Sequence, residues 1–223
     1  MATNIEQIQQ LYIALYGHPA DAAGQAYWGN ILATDPNAIP TIAATFKLSQ
    51  EYAATFGGKS NATVVTTMYQ NLFGHGPSSA QLADATAKLD AGTNIGTVLT
   101  GILSGAAAAD MSVLNLKVRA ATAFTASLDT AAEQTAFNTD AGHATAKEYL
   151  AYVDDTLSFN ATTTPFALNL VTSDIVARAP WSMPVRVDQQ VQELYVAYFS
   201  RAAGELGKDP QFGCSIVPTK AGL

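Results

Sequence analysis

Residues 8–28 read IQQLYIALYGHPADAAGQAYW, and the fold is decided there. The stretch holds an amphipathic helix, a Gly-His-Pro break and the start of a second helix marked by an aromatic pair. Ile5, Ile8, Tyr12, Leu15 and Tyr16 recur at three- and four-residue steps, which puts them on one helix face. Gln7, Gln9 and Gln10 fall mostly off that stripe and are expected in solvent. Gly17 follows the last aromatic, where a helix end needs a residue tolerant of positive φ. Pro19 prevents continuation, and Asp21 is placed to cap the next helix. On that helix Gly24, Tyr27, Trp28 and Ile31 are expected to face inward, the glycine admitting a close neighbour. Tyr27 and Trp28 carry two readings: core packing, or a sugar-stacking or partner-facing surface.

The first half of this unit returns as MYQNLFGH at residues 68–75. Aligning Tyr12 with Tyr69 sets an offset of 57 (69 − 12), and Leu15, Tyr16, Gly17 and His18 then fall on Leu72, Phe73, Gly74 and His75. A third copy carries Leu194, Tyr195 and Phe199, with Ser200 and Arg201 in place of the Gly-His. The second half is not kept. Asp21, Gly24 and Trp28 align with Ser78, Gln81 and Ala85 in copy two, and with Gly204, Gly207 and Gln211 in copy three. The repeat therefore reads as a packing unit rather than a preserved site.

A chain of 223 residues with 48% hydrophobic content can bury one good core or two small ones. Charged residues make up only 13%, about half the usual share. A net charge of −7 argues against nucleic acid, whose phosphates need clustered Lys and Arg, and equally against anionic membrane surfaces. The opening residues hold no basic segment followed by an apolar run, so no cleaved N-terminal signal is expected. Apolar runs are broken by Gly and Thr before they reach membrane-spanning length, so no transmembrane segment is expected. The single Cys214 excludes an internal disulfide.

Helical signals continue along the chain. Pro40 opens a helix with Ile42, Phe46 and Leu48 inward, and Ser49 caps the next, anchored by Tyr52 and Phe56. Gly57-Gly58-Lys59-Ser60 lacks the upstream glycine and preceding strand of a phosphate loop and is read as a plain loop. Copy two follows from Asn61, then a helix with Leu82 and Leu89, and another with Val98, Leu99 and Ile102. From Asp110 to Leu128 a long helix with a broad apolar face is expected to be central, with the hairpins packed around it. Thr130 with Glu133 suggests a capped short helix through Phe137. Helices over 144–153 and 166–177 are separated by a polar linker at 160–165. The reading is thus all-α, a multi-helix bundle of repeated hairpins around a long central helix. Its segments are 1–107, 108–179, a third partial repeat at 180–207 and an irregular tail at 208–223.

No reactive constellation emerges. His18 and His75 sit at matched positions and His143 stands alone, but no Cys, Asp or Glu recurs with them at ligand spacing, so they read as polar turn residues and no metal site is assigned. There is no nucleophile elbow and no calcium loop, so no catalytic residue and no cofactor is expected; adventitious calcium at clustered carboxylates stays open.

Leu11-Tyr12, Leu15-Tyr16-Gly17, Asp21-Ala22-Ala23-Gly24, Tyr27-Trp28 and Ser49-Gln50-Glu51-Tyr52 together resemble a helical domain of unknown function. That domain occurs in large bacterial surface-layer and calcium-repeat secreted proteins and is similar to phycobilisome linker domains. The resemblance implies type I secretion, residence at the cell surface and no enzymatic activity. It further implies self-assembly as a homo-oligomer or lattice, with a comparable helical region holding the lattice to lipopolysaccharide. Tyr27, Trp28 and Trp181 are the candidate ligand or partner contacts. The alternative is an intracellular linker or adaptor scaffold, and a glycan-cleaving enzyme near Trp28 or Trp181 is the third reading.

Overall fold

Asn4 to Tyr16 coil into the first helix, α1, because Thr3 and Glu6 close a reciprocal capping box at its start and Gly17 ends it in the left-handed region at φ 82°. In the computed structural model, which describes residues 2–181, the expected all-α architecture is present. There are twelve helices and no strand among those residues. They are α1 (Asn4–Tyr16), α2 (Ala22–Thr34), α3 (Ile39–Phe46), α4 (Gln50–Phe56), α5 (Asn61–Phe73), α6 (Ser79–Asp90), α7 (Ile95–Ser104) and α8 (Ala108–Ser127). Then come α9 (Ala131–Phe137), α10 (Asp140–Ala151), α11 (Thr156–Thr162) and α12 (Pro165–Ala177). Copy three, at Leu194, Tyr195 and Phe199, and the tail at 208–223 lie outside the described residues.

The two copies of the stripe meet. α1 packs on α5, and both pack on α8, so these three helices enclose the centre of the core. Ile8, Leu11 and Leu15 of α1, Val65, Met68 and Leu72 of α5, and Leu114, Ala121 and Phe124 of α8 are all buried. Each large apolar side chain there contributes about 1.5–3 kcal/mol by leaving water. Gly74 ends α5 at φ 80°, as Gly17 ends α1, so the repeat preserves the helix stop as well as the stripe. α8 also meets α10, α11 and α12, which makes it the long helix shared by the hairpins and the later bundle. Gly96 serves a different purpose: a methyl group there would lie 2.8 Å from the Ala43 Cβ and the Pro40 Cα, so its absence lets α7 press against α3.

Several expectations are corrected. Ile5, at the edge of the stripe, is 44% exposed, and Leu48 is 87% exposed because α3 ends at Phe46 and turns it outward. Gln9 is fully buried instead of wet. Its amide nitrogen donates to Gln25 Oε1 at 2.7 Å and Thr125 Oγ1 at 2.9 Å, while its oxygen accepts from the Ala20 N–H at 3.0 Å. Those partners satisfy the amide and make its burial tolerable. The stretch 160–165 is mostly helical rather than a linker. Asp155 caps α11, and the Thr162 hydroxyl returns to the Ser158 carbonyl at 2.8 Å, so polar side chains close on their own turn. α10 begins at Asp140, four residues earlier than expected, because Thr139 caps it and Gly142 lets its first turn lie against the Ala136 and Phe137 carbonyls.

No single described helix is long and apolar enough to cross a membrane; α7 and α8 together reach the length but are bent by 119° at their junction.

Candidate functional site: an aromatic pocket with two histidines and a glutamate

Ending α1 at Gly17 has a chemical consequence, because the next residue is His18. The chain must turn at once toward Pro19, and the His18 Nδ1 comes 2.6 Å from the Pro19 carbonyl oxygen. A carbonyl only accepts, so Nδ1 carries the hydrogen and donates it, leaving Nε2 to face the other way. There it meets Glu51 Oε1 at 2.6 Å, on the first turn of α4. His143, in the first turns of α10, stacks on His18 with ring centroids 4.2 Å apart and 17° between planes. Its Nδ1 lies 3.5 Å from the same Glu51 oxygen. His18 is almost wholly buried, while Glu51 and His143 keep 30% and 23% of their side chains exposed.

The turn that carries His18 is pinned from below. Ala20 donates to Gln9, and the Thr125 hydroxyl of α8 reaches the Ala20 carbonyl at 2.7 Å. Asp21 then caps α2 by accepting from the Gly24 N–H at 2.8 Å. Gly24 does admit a close neighbour: a side chain there would overlap the Tyr12 hydroxyl.

Around the three ionisable groups is a half-open pocket of about 260 Å³, lined also by Tyr12, Tyr16, Asp21, Trp28, Phe46 and Phe137. Tyr16 stacks on Phe46 at 5.2 Å and on His18 at 5.7 Å, and Trp28 sets its ring edge-on to Phe46 at 5.6 Å. The Ser49 hydroxyl lies 3.0 Å from the Tyr16 oxygen, which in turn donates to the Phe46 carbonyl at 3.2 Å. Burial pushes the Tyr16 phenol up to about 12, against the pull of the Ser49 hydrogen bond. Burial also raises Tyr12, with the nearby Asp21 charge adding to it. Both phenols therefore stay protonated as hydrogen-bonding groups.

Glu51 feels opposing forces. Burial pushes its carboxyl up, but the His18 hydrogen bond and the charges of His18, His143 and Lys147 together win, and its pKa is lowered. His143 is lowered by burial and by the neighbouring His18, against Glu51, Asp140 and Asp21. A larger cleft of about 520 Å³ along α1, α3 and α7 is lined by amides, hydroxyls and aliphatic groups and has no titratable side chain. The two histidines and the glutamate are gathered in the smaller pocket.

Of the sequence-derived candidates, Trp28 lines this pocket while Tyr27 does not turn inward: it is 60% exposed, edge-on to Trp28 at 4.7 Å. Consecutive residues on a helix point about 100° apart, so both rings cannot enter one core. Trp181 sits elsewhere, edge-on to Tyr149 at 5.6 Å and Tyr152 at 5.4 Å.

The carboxylates at Glu133 and Asp155 are used as helix caps. No acid lies at ligand spacing from the repeated histidines in the sequence, but in the structure each of the two meets a distant one. His75 repeats the geometry, with Nδ1 2.8 Å from the Gly76 carbonyl and Nε2 3.0 Å from Asp110 Oδ1. The acid lies 33 residues beyond His18 and 35 beyond His75. That near-match in spacing was present in the sequence, but at helix-to-helix distance rather than at the short spacing of familiar ligand motifs. Among the described residues only copy one adds a third group.

Compared with protein-family models, curated proteins and solved structures, the chain has no match.

Proposed function

We propose that this chain is a non-enzymatic structural module of the bacterial cell surface. Its helical repeats support self-assembly into an oligomer or lattice, and its copy-one pocket rests against surface polysaccharide such as lipopolysaccharide. The observation that carries this reading is the exposed Tyr27 ring beside Trp28, which lines a half-open pocket with Asp21 and Glu51. Sugar rings offer C–H faces that stack on aromatic planes and hydroxyls that pair with carboxylates and imidazoles. A few polar groups set in an apolar concavity are the usual form of a small-ligand site. The buried stripes of α1 and α5 are consumed in the core of the chain itself, so assembly and recognition are both left to exposed surface, the pocket and its rim among it.

The test is co-sedimentation of the full chain with purified lipopolysaccharide, beside Tyr27→Ala and Trp28→Leu variants, with size-exclusion chromatography of each. Retention that falls at least tenfold in the Trp28 variant, together with a species larger than a monomer, supports the proposal. A strict monomer that ignores lipopolysaccharide, or retention unchanged in both variants, overturns it. Recovery of the protein from the cell interior alone would favour the linker-scaffold reading instead.

A further inference from the structure

We propose that His18, Glu51 and His143 form a binding site for a divalent transition-metal ion of the zinc class. This goes beyond the polysaccharide reading and does not depend on it. Three elements far apart in sequence, the turn after α1, the first turn of α4 and the start of α10, bring two imidazoles and a carboxylate together. Each of the three can offer a ligand atom within 4.8 Å of the other two. Two imidazole nitrogens with one carboxylate oxygen is a donor set that zinc uses with a fourth position left open. Here the opening faces the pocket that all three residues line.

His18 is already oriented as a ligand. Its Nδ1–H donates to the Pro19 carbonyl at 2.6 Å, which fixes the tautomer and aims Nε2 at Glu51. A backbone carbonyl on the far nitrogen is the outer-shell partner that metal-bound histidines ordinarily have. Without an ion, the 2.6 Å contact between Nε2 and Glu51 holds one hydrogen between two groups that both want it. A cation takes that hydrogen's place, and the proton leaves to solvent.

The required movement is small. Tetrahedral coordination at about 2.0–2.2 Å keeps ligand atoms about 3.3 Å apart. His143 Nδ1 already stands 3.5 Å from Glu51 Oε1. His18 Nε2, at 2.6 Å, must part from that oxygen by about 0.7 Å, and the His143 ring must tilt out of its stack so that its in-plane lone pair meets the ion. Both adjustments fall on the two partly exposed side chains, Glu51 and His143, while buried His18 stays fixed. The charge surroundings are mixed: Asp21 and Asp140 act on His143 favourably for a cation, and Lys147 lies near Glu51 and opposes it. The His75–Asp110 pair of copy two shares the local turn but has no third ligand among the described residues, which makes it an internal control.

The experiment is calorimetric titration of the full chain, stripped with chelator, with zinc chloride, and with cobalt chloride followed by visible absorption, with no glycan present. His143→Ala, Glu51→Gln and His75→Ala are titrated alongside, their folding checked by circular dichroism. One ion per chain is expected, with affinity reduced about tenfold or more in the first two variants and unchanged in the third. Wild-type affinity should also fall from pH 7.5 to pH 5.5, because the imidazoles must be deprotonated to bind. Zinc should raise the melting temperature of the wild type, a readout that remains if a variant folds poorly. No heat, no cobalt spectrum and no melting shift in the wild type would overturn the proposal, as would binding that survives both His143→Ala and Glu51→Gln.

Discussion

Replacing Lys117 by methionine should make the chain more stable at pH 7 and less stable above pH 10.5. Lys117 lies on α8, in the middle of the core, and is 2% exposed. Its ammonium has one hydrogen-bond acceptor, the Asn71 carbonyl at 2.8 Å. That oxygen belongs to the last turn of α5, where carbonyls lack helical partners and a cation is favoured. Burial nevertheless lowers the lysine from 10.5 to about 8, with the Asp154 charge only partly opposing it. Keeping the charge at neutral pH therefore costs about 3 kcal/mol, at 1.36 kcal/mol per unit. Methionine fills a similar volume without charge but forfeits the bond to Asn71, worth about 1 kcal/mol. The net expectation at pH 7 is a gain of about 2 kcal/mol. Between pH 8 and 10.5 the unfolded chain holds the extra proton, so wild-type stability climbs with pH across that window. The variant has no such climb, and the difference should change sign. Urea denaturation of both proteins at pH 7, 8.5 and 10.5 measures it. A methionine variant less stable at pH 7, or a difference that ignores pH, would refute the reasoning.

Gln9→Leu should cost about 2–3 kcal/mol in thermal or urea unfolding, since it leaves the Ala20 N–H and Gln25 without their buried partner. Gly74→Ala should cost about 1–2 kcal/mol, because φ is 80° and nothing crowds the site, so only the backbone resists. Gly17→Ala should cost more, since its methyl would also meet Asn71 and Lys147 at 3.0 Å; comparing the two urea midpoints checks the order. Acid should weaken the fold in two stages. The lowered His143 supplies stability that is complete above pH 6.5 and declines below it. The lowered Glu51 supplies stability that is complete above pH 4.5 and declines as pH falls through its folded value. His143→Phe should flatten the slope below pH 6.5 and leave a smaller lower stage, since His18 and Lys147 still hold Glu51 down, as read from urea midpoints at pH 4 to 7.5.

The parts of the fold that were legible were those decided locally. The stripe of Ile8, Tyr12 and Leu15, the stops at Gly17 and Gly74, and the caps at Asp21, Ser49 and Thr130 all depend on neighbours within a turn or two. What stayed hidden depends on partners far along the chain. Gln9 reads as a surface amide until Thr125 arrives from α8, and nothing near Lys117 in the sequence announces that its ammonium will meet the end of α5. The site follows the same rule. His143 has no signal of its own, because His18 and Glu51 meet it only once folding brings the start of α10 to them. Threonine-rich residues 160–165 read as a linker because hydroxyls favour turns, yet here Thr162 and Thr163 bond carbonyls three and four residues back.

The account rests most on recognition belonging to copy one, at the Tyr27–Trp28 rim. With only two tryptophans in the chain, an amide correlation spectrum shows two indole signals, one in the pocket and one at Trp181. On titration with soluble surface polysaccharide, the Trp28 indole should shift in a saturable way while Trp181 stays put. Both signals holding still, or Trp181 moving alone, would contradict the account.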